Sequence, residues 1–205
     1  IAVGYDPVEF NFEAWMPHAE LINIDVEPAD IDRAEYPDVV DVTGDIGQAI
    51  ETLLRTAGAK KQWDLDALAQ RRAAMFAKMA PENERLGPTK VLSVLRDVLP
   101  PEGIMACDVG AHTHLSGQLW RTPAPGKQLM TNGWSTMGFG IPAAIAAKLS
   151  VPDVPVCAVV GDGGFLMTVG ELATAVRYNV PIVVVLLTDN DLALIRIKQE
   201  KKGNP

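Results

Sequence analysis

Cysteine, histidine, aromatic rings and positive charge are all in short supply in this chain. Its 205 residues include 2 cysteines, 3 histidines and 6% aromatics. Two cysteines cannot build a disulfide scaffold. Both, Cys107 and Cys157, fall in apolar segments expected to be buried strands, which fits reduced core thiols and a reducing compartment. Lys and Arg number 18 against 26 Asp and Glu, a formal net charge of −8, so the electrostatic footprint of a nucleic-acid-binding protein is lacking. No apolar run reaches the ~18 residues that a membrane helix needs. No basic and apolar leader opens the sequence, so the expected location is cytoplasmic. Internal repeats, low-complexity tracts and a P-loop lysine pattern are also missing. The length accommodates one full domain and part of another.

What is present is a pair of acidic turns. Val154 to Val160 is a short apolar run that ends in Gly161-Asp162-Gly163-Gly164. Val180 to Leu187 is another, ending in Thr188-Asp189-Asn190-Asp191. Between them, Leu166, Val169, Leu172, Ala173 and Val176 recur at helical spacing over Phe165 to Tyr178. Strand, helix and strand at these lengths predict a right-handed βαβ unit with parallel strands. Both acidic turns then lie at the carboxyl edge of one sheet, where open α/β sheets bind ligands. Gly163 and Gly164 leave backbone N–H groups uncovered for an anion. Asp162 and Asp189 are hard oxygen ligands suited to Mg²⁺ or Ca²⁺, and Mg²⁺ commonly shares its shell with phosphate. Turn closure alone explains the tetrapeptide; the second acidic strand end favours a charged guest.

The spacing of Gly161-Asp162-Gly163 and the Thr188-Asp189 pair, with Asp189 27 residues after Asp162, resembles the diphosphate-binding motif of thiamine-diphosphate-dependent enzymes. The resemblance implies Mg²⁺ held by the side chains of Asp162 and Asp189 and by the backbone carbonyl of Asp191. The family pair is usually Asn-Asn; an Asp at 189 keeps the hard oxygen. Asn132 to Ala144 resembles the segment that supports the bent cofactor in acetolactate synthases. By that likeness Met137 is the apolar wedge between the two rings and the Ser135 carbonyl meets the aminopyrimidine. The ordinary alternative for Met137 is core filler. Gly138-Phe139-Gly140-Ile141-Pro142-Ala143 has the letters of a dinucleotide fingerprint, but no strand precedes it and Pro142 sits in the turn. Asp108-Val109-Gly110-Ala111-His112-Thr113-His114 resembles the family loop at the diphosphate, which assigns Ala111 and His112 to the cofactor. A His-x-His zinc site is the weaker reading, since no fourth ligand has zinc spacing.

The same likeness orders the chain. Residues 1–57, with Gly4 to Phe10, Ile24 to Ala29 and Gly44-Asp45-Ile46, resemble the end of the central α/β domain. Residues 58–85, with Lys60-Lys61 and Arg71-Arg72, form an expected linker helix. Residues 86–205 form the diphosphate domain, a parallel sheet flanked by helices, expected to lack its last elements. Gly4 to Phe10 and Asp189-Asn190, with Gln199-Glu200-Lys201-Lys202 after them, most resemble catabolic acetolactate synthases. This implies decarboxylation and carboligation of 2-oxo acids, pyruvate above all, in a dimer or tetramer, with FAD less favoured as an additional cofactor. Other 2-oxo-acid decarboxylases of the family, a non-catalytic cofactor-binding module and an unrelated Mg-nucleotide protein are the alternatives. The glutamate that activates the cofactor belongs to a pyrimidine domain with no counterpart here, so no catalytic residue is expected in this chain. Glu9, Glu13 and Glu171 are poor substitutes, the last expected on a core-facing helix.

Overall fold

A computed structural model describes residues 1–5, 20–34, 36–58, 63–79, 86–131 and 135–204. Asp6 to Phe10, Glu13, His18, Lys60-Lys61 and Asn132 to Trp134 lie outside the described residues. Two compact units are present, Ile1–Leu65 and Asp66–Pro205.

In the first unit, β1 (Ala2–Val3), β2 (Leu21–Asp25) and β3 (Val39–Thr43) form a parallel sheet in that order, followed by helix α1 (Ile46–Thr56). Asp45 caps α1 by accepting the Gln48 amide at 2.8 Å, which satisfies one of the orphan N–H groups of the first turn. Buried Asn23 donates to Asp41 at 3.1 Å, and Asp41 also accepts from the Ala29 amide and from Arg33. The Ala29 amide first, and then Arg33, hold the Asp41 carboxyl below its ordinary range. Among the described residues of this unit, Ile24 and Tyr36 are the buried hydrophobic side chains.

The second unit starts within helix α2 (Leu65–Met79), at Asp66, and continues through α3 (Pro88–Val98), β4 (Ile104–Cys107), α4 (Ala111–Leu119), β5 (Gln128–Leu129) and α5 (Gly140–Ser150). It ends with β6 (Val156–Gly161), α6 (Asp162–Thr168), a 3₁₀ turn at Val169–Glu171, α7 (Leu172–Arg177), β7 (Val183–Leu187) and α8 (Ala193–Lys201). All four strands are parallel, in the order β5-β4-β6-β7. A parallel sheet is covered on both faces, and alternation along β4 and β6 supplies two cores. Ile104, Ala106, Ala158 and Val160 face one way, toward Ile141, Ala144 and Ile145 of α5. Met105, Cys107, Cys157 and Val159 face the other way, toward Leu92, Leu99 and Trp120. Val159 and Val160 are fully buried, and each such side chain contributes roughly 1.5–3 kcal/mol by leaving water. Both cysteines are free and buried. No helix among the described residues is long and apolar enough to cross a membrane.

The crossover from β6 to β7 departs from the single helix expected over Phe165 to Tyr178. Helix begins earlier, at Asp162, and is broken by the 3₁₀ turn around Gly170. A 3₁₀ turn advances about 120° per residue instead of about 100°, so it rotates the buried stripe. Leu166 and Val176 are consequently exposed (73% and 81%), while Phe165, Leu172 and Ala175 pack on the core. Glu171, expected on a core-facing helix, lies in the 3₁₀ turn and is exposed, and its carboxylate accepts from the Thr174 hydroxyl at 2.9 Å.

Candidate functional site

Because β4, β6 and β7 run parallel, the residues that leave them emerge on one edge. The β6–β7 register pairs Gly161 with Leu187, so Asp162 and Thr188 start their turns side by side. The Asn190 amide donates to Asp162 Oδ2 at 2.7 Å, and the Gly163 amide donates to Asp162 Oδ1 at 2.8 Å. Asn190 adopts φ +57° to do so, a left-handed conformation that Asn tolerates better than most residues. The Asp191 amide donates to Asp189 Oδ1 at 3.1 Å, while the Asp191 carboxylate is taken by Arg196, which also reaches Glu200 at 2.9 Å. The Asn190 amide, more than the Gly163 amide, holds the Asp162 carboxyl below its ordinary range.

The third strand end brings in Asp108 and His112. Asp108, fully buried at the tip of β4, accepts from the Val109 amide at 2.7 Å. Gly110 precedes α4 and donates its amide to the Thr113 hydroxyl at 2.8 Å. His112 is buried, and its Nε2 has no partner among the described residues. Burial depresses the His112 pKa from its ordinary value, against the opposing pull of the Asp108 charge.

These turns surround a cavity of about 580 Å³. Ala111 and His112 line it from β4–α4, Gly161 to Gly164 from β6–α6, and Asp189 and Asp191 from β7–α8. Ser135 and Met137 complete it from the segment before α5. All ten residues expected at the site are therefore brought together. Ser135 has φ +46° and Gly138 φ +86°, so this segment turns sharply where the wedge is expected. A Cβ on Gly163 would come within 2.9 Å of both Met137 and Leu192, so the glycine sets how closely the turn approaches the wedge. His114 is exposed and does not share a pocket with His112, which separates the two histidines of the His-x-His reading.

Residues 108–205 match the model of the thiamine pyrophosphate enzyme, C-terminal TPP binding domain. Residues 108–205 belong to the TPP-binding domain of the thiamine-diphosphate-dependent enzymes. It is 31% identical to an acetolactate synthase of Bacillus subtilis, over all of this chain and 37% of that protein. It is 30% identical to an acetolactate synthase large subunit of Haemophilus influenzae (93% of this chain, 34% of the relative) and 30% identical to a probable one of Methanocaldococcus jannaschii (95% and 35%). The chain thus spans about a third of the length of the relatives it matches.

Within this thiamine-diphosphate-enzyme domain, sequence reasoning passed over three groups. Lys198, one turn into α8, is a cationic residue that lines the same cavity as Asp162 and Asp189. Asn190 acts through its backbone amide, which side-chain identity does not reveal. For Asp108 the available signal is its place as a lone acid directly after a four-residue buried strand.

The residues fit the family cofactor. Two acidic strand ends joined by a 2.7 Å hydrogen bond, a glycine cradle and an unpartnered buried imidazole nitrogen suit a cation-bridged diphosphate. Among the described residues no group of three or more His, Cys, Asp or Glu side chains is arranged to hold a metal. A divalent ion here would complete its shell from backbone carbonyls and phosphate oxygens, as Mg²⁺ commonly does.

Proposed function

We propose that this chain carries the diphosphate- and Mg²⁺-binding part of an enzyme that decarboxylates and joins 2-oxo acids, with acetolactate synthesis from pyruvate the favoured reaction. The observation that carries the reading is the Asp162–Asn190 hydrogen bond, which seats the two acidic turns on one cavity beside Met137.

In this reading residues 1–57 are the end of a central domain, 58–85 a linker helix and 86–205 the diphosphate domain. Thiamine diphosphate, when bound, supplies the electron sink that decarboxylation of a 2-oxo acid requires. Asp162 and Asp189 hold Mg²⁺ through their carboxylates. Asp191, whose side chain is engaged by Arg196, contributes its backbone carbonyl. Neutral His112 and Ala111 meet the diphosphate, and an uncharged imidazole donates a hydrogen bond without competing with the metal for its ligands. The glycines from 161 to 164 let backbone come close to the phosphates, Met137 supports the head and the Ser135 carbonyl orients it. The activating glutamate comes from a pyrimidine domain, so the working unit is a homo-oligomer of the full-length protein, acting in the cytoplasm without a required flavin.

Calorimetry of the full-length protein with thiamine diphosphate tests the first half: binding should need Mg²⁺ and disappear with EDTA. Pyruvate turnover to acetolactate tests the second. Binding without turnover of any 2-oxo acid would leave a cofactor-binding module and refute the enzymatic reading.

A further inference from the structure

Asp108 is a carboxylate with 0% exposure, and none of the ion pairs among the described residues involves it. A buried charge in that position needs other compensation. For Oδ1 it is provided by amides, while Oδ2 is buried with no hydrogen-bond partner among the described residues. Asp108 Oδ1 accepts from Val109 at 2.7 Å and, across thirty residues of sequence, from Gly138 at 2.9 Å and Phe139 at 3.1 Å. Three N–H groups converging on one oxygen suit an anionic acceptor, whose bonds are about twice as strong as neutral ones. The two distant donors immediately follow Met137. Asp108 Oδ2 faces Gly164, where a Cβ would stand 2.1 Å away. One side chain at the tip of β4 thus touches the turn that carries the wedge and the turn that carries Asp162.

We propose that Asp108 is a positioning residue for the head of the cofactor: its carboxylate ties the Met137–Phe139 turn to the end of β4 and so fixes how far Met137 stands into the cavity. The inference rests on the thiamine-diphosphate reading given above. It does not make Asp108 a ligand of metal, phosphate or substrate. Its amide clamp acts on the segment expected under the head, whereas the diphosphate is held by the turns at 161–164 and 188–191. Loss of the clamp should therefore weaken binding of the head more than binding of the tail.

The test compares two probes on the full-length protein in Mg²⁺: thiamine diphosphate, which has head and tail, and inorganic pyrophosphate, which has only the tail. In Asp108→Asn, which keeps the shape and one acceptor oxygen but loses the charge, the thiamine diphosphate Kd should rise about tenfold, the size of one net hydrogen bond to a charged group. In Asp108→Ala the rise should be larger. The pyrophosphate Kd should stay within about threefold in Asp108→Asn, which still fills the space beside Gly164 and removes no hydrogen bond to the tail-binding turns. Equal losses for the two probes, or an unchanged thiamine diphosphate Kd, would overturn the proposal, as would failure of Asp108→Asn to fold. Failure of the unsubstituted protein to bind thiamine diphosphate would sink the functional reading itself, a result distinct from any of these.

Discussion

The amide of Asn190 donates to the carboxylate of Asp162 over 2.7 Å, spanning 28 residues of sequence and joining the ends of two adjacent parallel strands. The bond constrains where Asp162 can point and keeps the 188–191 turn against the 161–164 turn. Both turns line the same cavity. Their mutual placement therefore depends on a side chain that is also the first candidate for the metal.

Replacement of Asp162 by Ala removes a charged ligand and the acceptor for two amides, those of Gly163 and Asn190. The Kd for Mg²⁺-dependent thiamine diphosphate binding should rise by about 100-fold or more, at or beyond the top of the roughly 10–100-fold that loss of an outer-shell partner costs. Calorimetry measures it. Nucleotide binding, if present and equally lost, would point instead to a Mg-nucleotide protein.

The buried His112 predicts a pH dependence of the apo domain. Its folded pKa is depressed, chiefly by burial, so the unfolded chain takes up its proton first as pH falls. Stability from this group is full above the ordinary histidine value near 6.5 and declines as pH drops below it. Tm measured from pH 7.5 down to 5.5 should fall, and His112→Gln should flatten that part of the curve. Asp162, also depressed, acts only lower, below the ordinary carboxylate range.

Cys107 and Cys157 should be inert to thiol reagents in the native state. Burial pushes both thiols up to about 11, so at pH 8 only about one in a thousand is thiolate, and thiolate is the reactive form. Labelling with a disulfide reagent should run at least ~100-fold slower than for a free thiol and become fast in denaturant. Rapid stoichiometric labelling of the folded protein would contradict the two-layer core.

Gly140→Ala should cost about 1–3 kcal/mol of stability by overpacking. A Cβ there would lie 2.7 Å from Val160, 3.0 Å from the Asp108 side chain and 3.3 Å from the Asp108 backbone nitrogen. The backbone of β4 cannot give way as a flexible side chain would. Urea denaturation provides the number, and an unchanged midpoint would show that α5 can move off the sheet.

Local chemistry was readable before any fold was known. Gly161 to Gly164 and Asp189 to Asp191 announced themselves as a pair, because each acidic turn follows a short β-branched apolar run and together they frame one helical crossover. The helix between them was not readable in detail. Its apolar residues fit a continuous α-helical period, yet the 3₁₀ turn at Val169–Glu171 rotates the stripe and leaves Leu166 and Val176 in the open. Periodicity assumes one helical geometry throughout, and that assumption failed at Gly170.

The order of amino acids alone determined the parallel strands, the acidic turns at their carboxyl ends and the burial of both cysteines, because these follow from hydrophobic runs and turn propensities acting over a few residues. Only the tertiary structure decided that Asp108 would hold Gly138 and Phe139, that Asn190 would serve Asp162 and that Lys198 would face the same cavity. Those contacts are set by strand register and by the close seating of α5 on the sheet, and neither quantity is written in any local stretch of sequence.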